Sequence, residues 1–287
     1  MKRCILLGTA WMVLVSASAA PLDLNALWDF NQPAVSAQRF RERLATASGD
    51  DALILQTQIA RTEGLQRRFE AARELLRPLR PLLAQAGAEA VVRWHLEWGR
   101  SLASAVHDTA QLPPADIDAA RSAFRTAAER ARAAGLDGLA VDALHMLPFT
   151  TTDAAQGMQW TQDALDLALA STKPAARAWE ASLLNNLGWS LTTLGRLDDA
   201  LLKFQQSAAA RERTGPPERA RIAHWRVAHT LRSLKRHDEA LAIQLRLERE
   251  NAAAGTPDRY VFEELAQLYR ALGDADRAAA YELKSRP

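Results

Sequence analysis

Cysteine is all but absent: the 287 residues hold one, Cys4. A single thiol forms no internal disulfide and no cysteine-based metal cluster. The six histidines, His95, His107, His145, His224, His229 and His237, make no His-Glu-x-x-His motif. His224 and His229 are five apart, so they do not share a helix face as a metal pair at i, i+4 would. There is no glycine-rich phosphate loop and no Gly-x-Ser-x-Gly. No cofactor, metal or catalytic motif is therefore expected, although a site assembled from distant residues would escape a motif search. An excess of one charge is missing too, with 36 basic against 34 acidic residues. Bulk attraction to nucleic acid or anionic lipid is not supported. No segment shows the β-branched alternation of a strand, and helix is the consistent reading throughout.

What is present begins with a leader pattern. Met1-Lys2-Arg3 is basic, Cys4 to Val15 is apolar, and Ser16-Ala17-Ser18-Ala19-Ala20 is small. These are the three parts of a secretory signal peptide, and the apolar run is shorter than the roughly 20 residues needed to span a bilayer. Cleavage after Ala19 is favoured over Ala20, because the latter cut falls directly before Pro21. The expected address is periplasmic or secreted, without integral membrane association. Cys4 lies ahead of the apolar run, the wrong side for a lipid-modified terminus. Loss of Lys2 and Arg3 leaves 34 basic residues against 34 acidic ones.

The body of the chain is repetitive. Gly188 precedes Ala200 by 12 residues, Ala228 precedes Ala240 by 12, and Ala266 precedes Ala278 by 12. Leu187, Val227 and Leu265 stand just before the first small residue, and Leu191, Leu231 and Tyr269 lie three after it. Similar turns follow: Leu-Gly-Arg-Leu-Asp-Asp-Ala, Leu-Lys-Arg-His-Asp-Glu-Ala and Leu-Gly-Asp-Ala-Asp-Arg-Ala. The period, 40 residues and then 38, is that of a helix-turn-helix array. Where two antiparallel helices cross, a small residue lets the backbones approach and larger neighbours fill the grooves.

The template is weaker upstream. Residues 21–33 are expected to be an extended lead-in with Trp28 and Phe30 against the first helices, and Ser36 to cap a helix reaching about Ala47. Ala60 and Ala72 keep the 12-residue spacing, and Pro78 and Pro81 stop one helix and start a short one. Gly99 opens a further unit whose partner helix is delayed by Gln111-Leu112-Pro113-Pro114. Pro148 breaks the next, with a cap at Thr150-Thr151-Thr152-Asp153, and a helix is expected from about Ala175 to Leu194. The division is 1–19 signal peptide, 20–52 lead-in and capping helix, and 53–287 solenoid, in units 53–87, 91–134, 136–172, 181–214, 221–254 and 259–285.

Leu187-Gly188-Trp189-Ser190-Leu191 and Ala200-Leu201-Leu202-Lys203-Phe204 resemble the tetratricopeptide repeat family. The resemblance is strong over 181–285, moderate over 53–134 and weak over 136–172. It implies an all-α, right-handed α-solenoid of stacked antiparallel helix pairs, whose concave wall comes from the first helix of each pair. Such walls bind a protein or peptide segment. The residues placed there are Thr57, Arg61, Arg93, Arg100, Asn185, Asn186, Trp189, Trp225, Arg226, His229, Arg232, Glu263, Gln267 and Arg270. The capture set is Asn185, Asn186, Trp189, Trp225, Arg226, His229 and Arg232. Asn pairs with extended backbone, Arg with carboxylate, and Trp supplies apolar area. Adjacent asparagines inside a helix are disfavoured by propensity, which singles out Asn185 and Asn186. Trp189 and Trp225 are either groove anchors or inter-repeat packing. One subfamily clamps acidic C-terminal tails with set lysines that this chain lacks, so that activity is not carried over.

Arg211 to Arg249 holds ten basic against five acidic residues. Acidic segments of a protein partner fit that bias better than nucleic acid does. The function expected is a non-enzymatic interaction scaffold of the cell envelope. The alternatives are self-association through the terminal pairs and, behind it, a cryptic hydrolase.

Overall fold

The computed structural model describes residues 22–286, so the leader pattern and its cleavage site lie outside the described residues. Within them the chain is built from helices and 3-10 turns. A short α1 (Leu24–Leu27) and α2 (Pro33–Leu44) precede the array. The pairs are α3 (Gly49–Leu65) with α4 (Phe69–Leu76), and α5 (Ala88–Leu102) with α6 (Pro114–Ala133). They continue with α7 (Asp137–Met146) and α8 (Ala154–Ala170), then a short α9 (Pro174–Arg177) before α10 (Glu180–Thr193) and α11 (Leu197–Thr214). The last are α12 (Pro217–Ser233) with α13 (His237–Ala253), and α14 (Arg259–Ala271) with α15 (Ala275–Ser285). This is an all-α repeat fold.

The small residues of the template sit at the helix crossings. A Cβ placed on Gly188 would stand 2.6 Å from Phe204 Cε1, and one on Gly99 would stand 2.4 Å from Phe124 Cε1. Each phenyl ring thus occupies the space that glycine leaves, and both rings are buried. In the next pair the crossing residue is Ala228, and the position matching Phe204 is Gln244. The side chain that gains a Cβ faces a partner that loses a ring.

Four first helices end in the same way. Arg68, Arg196, Arg236 and Asp274 each donate a backbone N–H to the carbonyl five residues earlier, at 2.9 Å. The closure needs a left-handed residue, supplied by Gly195 (φ 72°) and Gly273 (φ 82°). At Lys235 (φ 61°) and Arg67 (φ 62°) the same turn is made without glycine. The α5–α6 connection departs from this pattern and runs through residues 103–113, with a 3-10 turn at Thr109–Gln111.

Three local expectations are corrected. The lead-in is not extended: Asp23 accepts from the N–H groups of Asn25 and Ala26 and starts α1. Ser36 is not a cap but a buried residue inside α2, donating to the Asp29 carbonyl at 2.9 Å while accepting from its N–H at 2.7 Å. The expected helix over 175–194 is broken at residues 178–179, where Trp179 N–H bonds the Ala176 carbonyl at 3.1 Å in a tight turn. That turn brings the indole of Trp179 to 5.0 Å from the ring of His145. Pro148 and Asp153 act as expected, the one within a 3-10 turn (Leu147–Thr150) and the other capping Ala155 and Gln156.

Candidate functional site

Each first helix presents the same two positions to the inner wall. With Gly188 as reference they are Asn186, two before it, and Trp189, one after it. Being three apart, they share a helix face. The equivalent pairs are Gln58 and Arg61 on α3, Glu97 and Arg100 on α5, and Asp142 and His145 on α7. Arg226 and His229 follow on α12, then Glu264 and Gln267 on α14. The second member on one helix meets the first member on the next, and this contact repeats as a ladder of five rungs.

The first two rungs are ion pairs. Arg61 Nη1 donates to Glu97 Oε1 at 3.4 Å, and Arg100 bonds the Asp142 carboxylate. Arg100 Nη1 also donates to Glu97 Oε1 at 2.6 Å, so four charges form one chain across three helices. Glu97 is 3% exposed and Asp142 7%. Burial works against the charge on Arg100, but the carboxylates of Asp142 and Glu97 outweigh it and raise its pKa. The Asp142 carboxyl, which burial would raise, is held below the usual carboxylate range by Arg100 and Arg61. Arg61 is lowered by burial and by the nearby Arg100. Its guanidinium lies 5.6 Å from the rings of both Trp28 and Phe30, and Trp28 Nε1 donates to Gln58 Oε1 at 3.1 Å. The lead-in thereby closes the ladder at its first end.

The third rung is neutral. Asn186 Nδ2 lies 3.4 Å from His145 Nδ1, and burial lowers the pKa of that imidazole. Asn185, half-buried beside it, comes only within 3.5 Å of Asn186 Oδ1.

In the fourth rung, Trp189 meets Arg226 instead of an acid. The guanidinium carbon of Arg226 stands 4.4 Å from the Trp189 ring centroid and 5.0 Å from that of Trp225, between two indoles. No carboxylate pairs with Arg226 among the described residues, and its guanidinium makes no hydrogen bond there. Burial lowers its pKa without an anion to compensate. Trp189 is 39% exposed, edge-on to Phe204. An open recess of about 570 Å³ adjoins the group, bounded by Ile222, Trp225, Arg226, Asp258 and Tyr260.

The fifth rung is closed by Glu264. Its Oε1 lies 2.9 Å from His229 Nδ1, and Arg232 reaches both oxygens, through Nε at 2.8 Å and Nη2 at 2.9 Å. Glu264 is 3% exposed. Burial would raise its pKa, but the hydrogen bonds from His229 and Arg232 hold it low.

The expected capture set is therefore divided. Asn185, Asn186, Trp189, Trp225 and Arg226 lie on neighbouring turns of α10 and α12, whereas His229 and Arg232 are engaged by Glu264. Trp225 is inter-repeat packing: its Nε1 donates to the Tyr260 carbonyl at 3.1 Å, and its ring stacks on His229. Trp189 keeps an exposed surface. Thr57, expected on the wall, is buried, its hydroxyl donating to Ile54 O. Arg93 pairs with Glu89 on its own helix, and Arg270 with Glu282 of the second helix of its own pair. Glu264 is the most deeply engaged acid of the C-terminal pairs. Among the described residues no cluster of His, Cys, Asp or Glu could hold a metal ion, and no helix is long and apolar enough to cross a membrane.

No family model matches the sequence, and no curated protein matches it. Solved structures do match in fold. The apo form of RapI is similar over 92% of this chain and 74% of its own, with a TM-score of 0.70 at 12% identity. A signal transduction ATPase with a tetratricopeptide repeat sensor, from Pyrococcus horikoshii, is similar over 88% of this chain, with a TM-score of 0.68 at 13% identity. This chain spans 39% of that protein. A Rap protein complexed with competence and sporulation factor is similar over 87% of this chain and 78% of its own, with a TM-score of 0.50 at 14% identity. The likeness is one of fold, and the fold is the tetratricopeptide repeat solenoid.

Proposed function

We propose that the inner wall captures a protein or peptide segment, and that Arg226 receives a carboxylate of that segment. The observation that carries this reading is the fourth rung. Every other cation of the ladder has a carboxylate across the wall, and Arg226 has two indoles and none. A guanidinium that is half desolvated without an acid gains more from an incoming carboxylate than one already paired. The exposed part of Trp189 supplies apolar contact beside that charge, and Asn185 offers an amide for extended backbone. The Rap protein in complex with a factor supports the reading from a chain of the same fold. On this reading, and with the leader pattern in support of export, the protein acts as a non-enzymatic adaptor of the cell envelope with acidic segments as its clients.

The test uses matched peptides drawn from a random library by the immobilised protein. Each selected peptide is synthesised with its carboxylates free and with them amidated, and both are titrated by calorimetry. Amidation at the engaged position is expected to weaken binding about 10- to 100-fold, the loss of one charge-assisted hydrogen bond of about 1.5–3 kcal/mol. Equal binding of the free and amidated forms refutes the assignment.

A further inference from the structure

At the other end of the inner wall lies a second concavity, of about 210 Å³, between α3, α4, α5 and α7. Its walls carry Leu65, Phe69, Val106, Met146 and Phe149, and its floor is made of small residues, Ala60, Ala72 and Ser101. Leu65 and Val106 are each 45% exposed. Two features argue that the space is kept open. Gly64 lines it from the last turn of α3, and a Cβ there would meet nothing within 4 Å. Neither a close neighbour nor a left-handed backbone demands glycine at that position. The second feature is the long α5–α6 connection, which no other first helix has and which brings Ser104, Ala105 and Val106 to the rim. That connection is held in place, with the ring of His107 4.0 Å from that of Phe69 and its Nδ1 2.9 Å from Ser104 Oγ.

The polar end of the recess consists of Arg61, Glu97, Arg100 and His145. Its charges are already matched: Glu97 serves both arginines, and Asp142 takes the far side of Arg100. An anionic ligand would compete with two buried carboxylates for their partners, and a cationic one would face two guanidinium groups. Burial lowers the pKa of His145 and so favours its neutral form, which offers hydrogen bonding without charge. Two phenyl rings and a methionine sulfur favour a flat, polarisable body over an aliphatic one.

We propose that this recess is a binding site for a small, uncharged aromatic molecule. It is separate from the carboxylate site at Arg226 and does not depend on it.

Benzyl alcohol and benzylamine are isosteric and differ in charge, and phenylacetate carries an anionic carboxylate on the same benzyl frame. They are titrated into the protein and into its Arg226→Ala variant, so that phenylacetate taken up at Arg226 is not counted, with amide NMR shifts as the readout. Benzyl alcohol is expected to bind at least tenfold more tightly than either charged analogue, and equally well in both proteins. Gly64→Leu, whose side chain grows into the recess, should abolish its binding with the circular dichroism melt preserved. Should that variant unfold, Val106→Trp fills the recess from the rim and serves in its place. No binding of benzyl alcohol, binding of phenylacetate to the Arg226→Ala protein as tight as that of benzyl alcohol, or binding that survives the filled variant overturns the proposal.

Discussion

The two ends of the inner wall solve one problem differently. Across α3, α5 and α7 the helices are joined by Arg61, Glu97, Arg100 and Asp142, a closed chain of charges in which each cation meets an acid. Across α10 and α12 the same positions hold Trp189 and Arg226, and the acid is missing. Repeat geometry makes the contact between successive helices obligatory, but it leaves the chemistry free. A rung can serve the stack or be left for a ligand, and the difference shows in whether its charges balance within the chain.

The largest expected effect tests that division. Arg100→Ala strands the buried Asp142 and leaves Glu97 with Arg61 alone, and should cost about 3–5 kcal/mol in urea unfolding. Arg226→Ala strands no acid and loses only its contacts with the two indoles, so it should cost less, about 0.5–2 kcal/mol. Similar losses for the two variants would erase the contrast.

A smaller effect is expected at the fifth rung. Glu264→Gln removes the acid that His229 and Arg232 share, for about 1.5–3 kcal/mol at neutral pH. Because the folded chain holds this carboxyl below its ordinary value, its contribution is complete above the ordinary carboxylate range. It is lost as pH falls through the lowered value. The acid limb of the stability profile should therefore be shallower in the variant. An unchanged limb would show that Glu264 is not held as described.

The smallest contrast is a control. Gly99 and Gly188 lie in opposite halves and face the same ring contact, so Gly99→Leu and Gly188→Leu should each cost about 1–3 kcal/mol by overpacking. A large difference between them would mean that the halves differ in backbone packing and not only in their rungs.

The stack of helix pairs was readable because its signal is repetition: small residues at a spacing of 12, turns of one form, apolar flanks at fixed offsets. The ladder is made of the opposite kind of information. Gln58, Glu97, Asp142, Asn186, Arg226 and Glu264 occupy one position but mix amides, carboxylates and a guanidinium, so a search for likeness between repeats passes over them. Their meaning lies in complementarity with a residue 35 to 42 positions away in all five rungs. Comparing each helix with its successor at this register would have paired Arg232 and His229 with Glu264. Asn186, Trp189 and Arg226 stand out in the sequence because a groove position attracts attention when its residue suits a ligand. The lead-in turn, the break before α10 and the recess beside the α5–α6 connection depend on contacts that no periodicity announces.

The most direct test sets Arg226→Gln beside Arg232→Gln, measuring peptide affinity and unfolding free energy for both. The account predicts that the first loses affinity and keeps most of its stability, while the second loses stability and, once folded, keeps its affinity. Loss of affinity in the second alone, or in both alike, would contradict the claim that Arg226 is the cation left for the ligand.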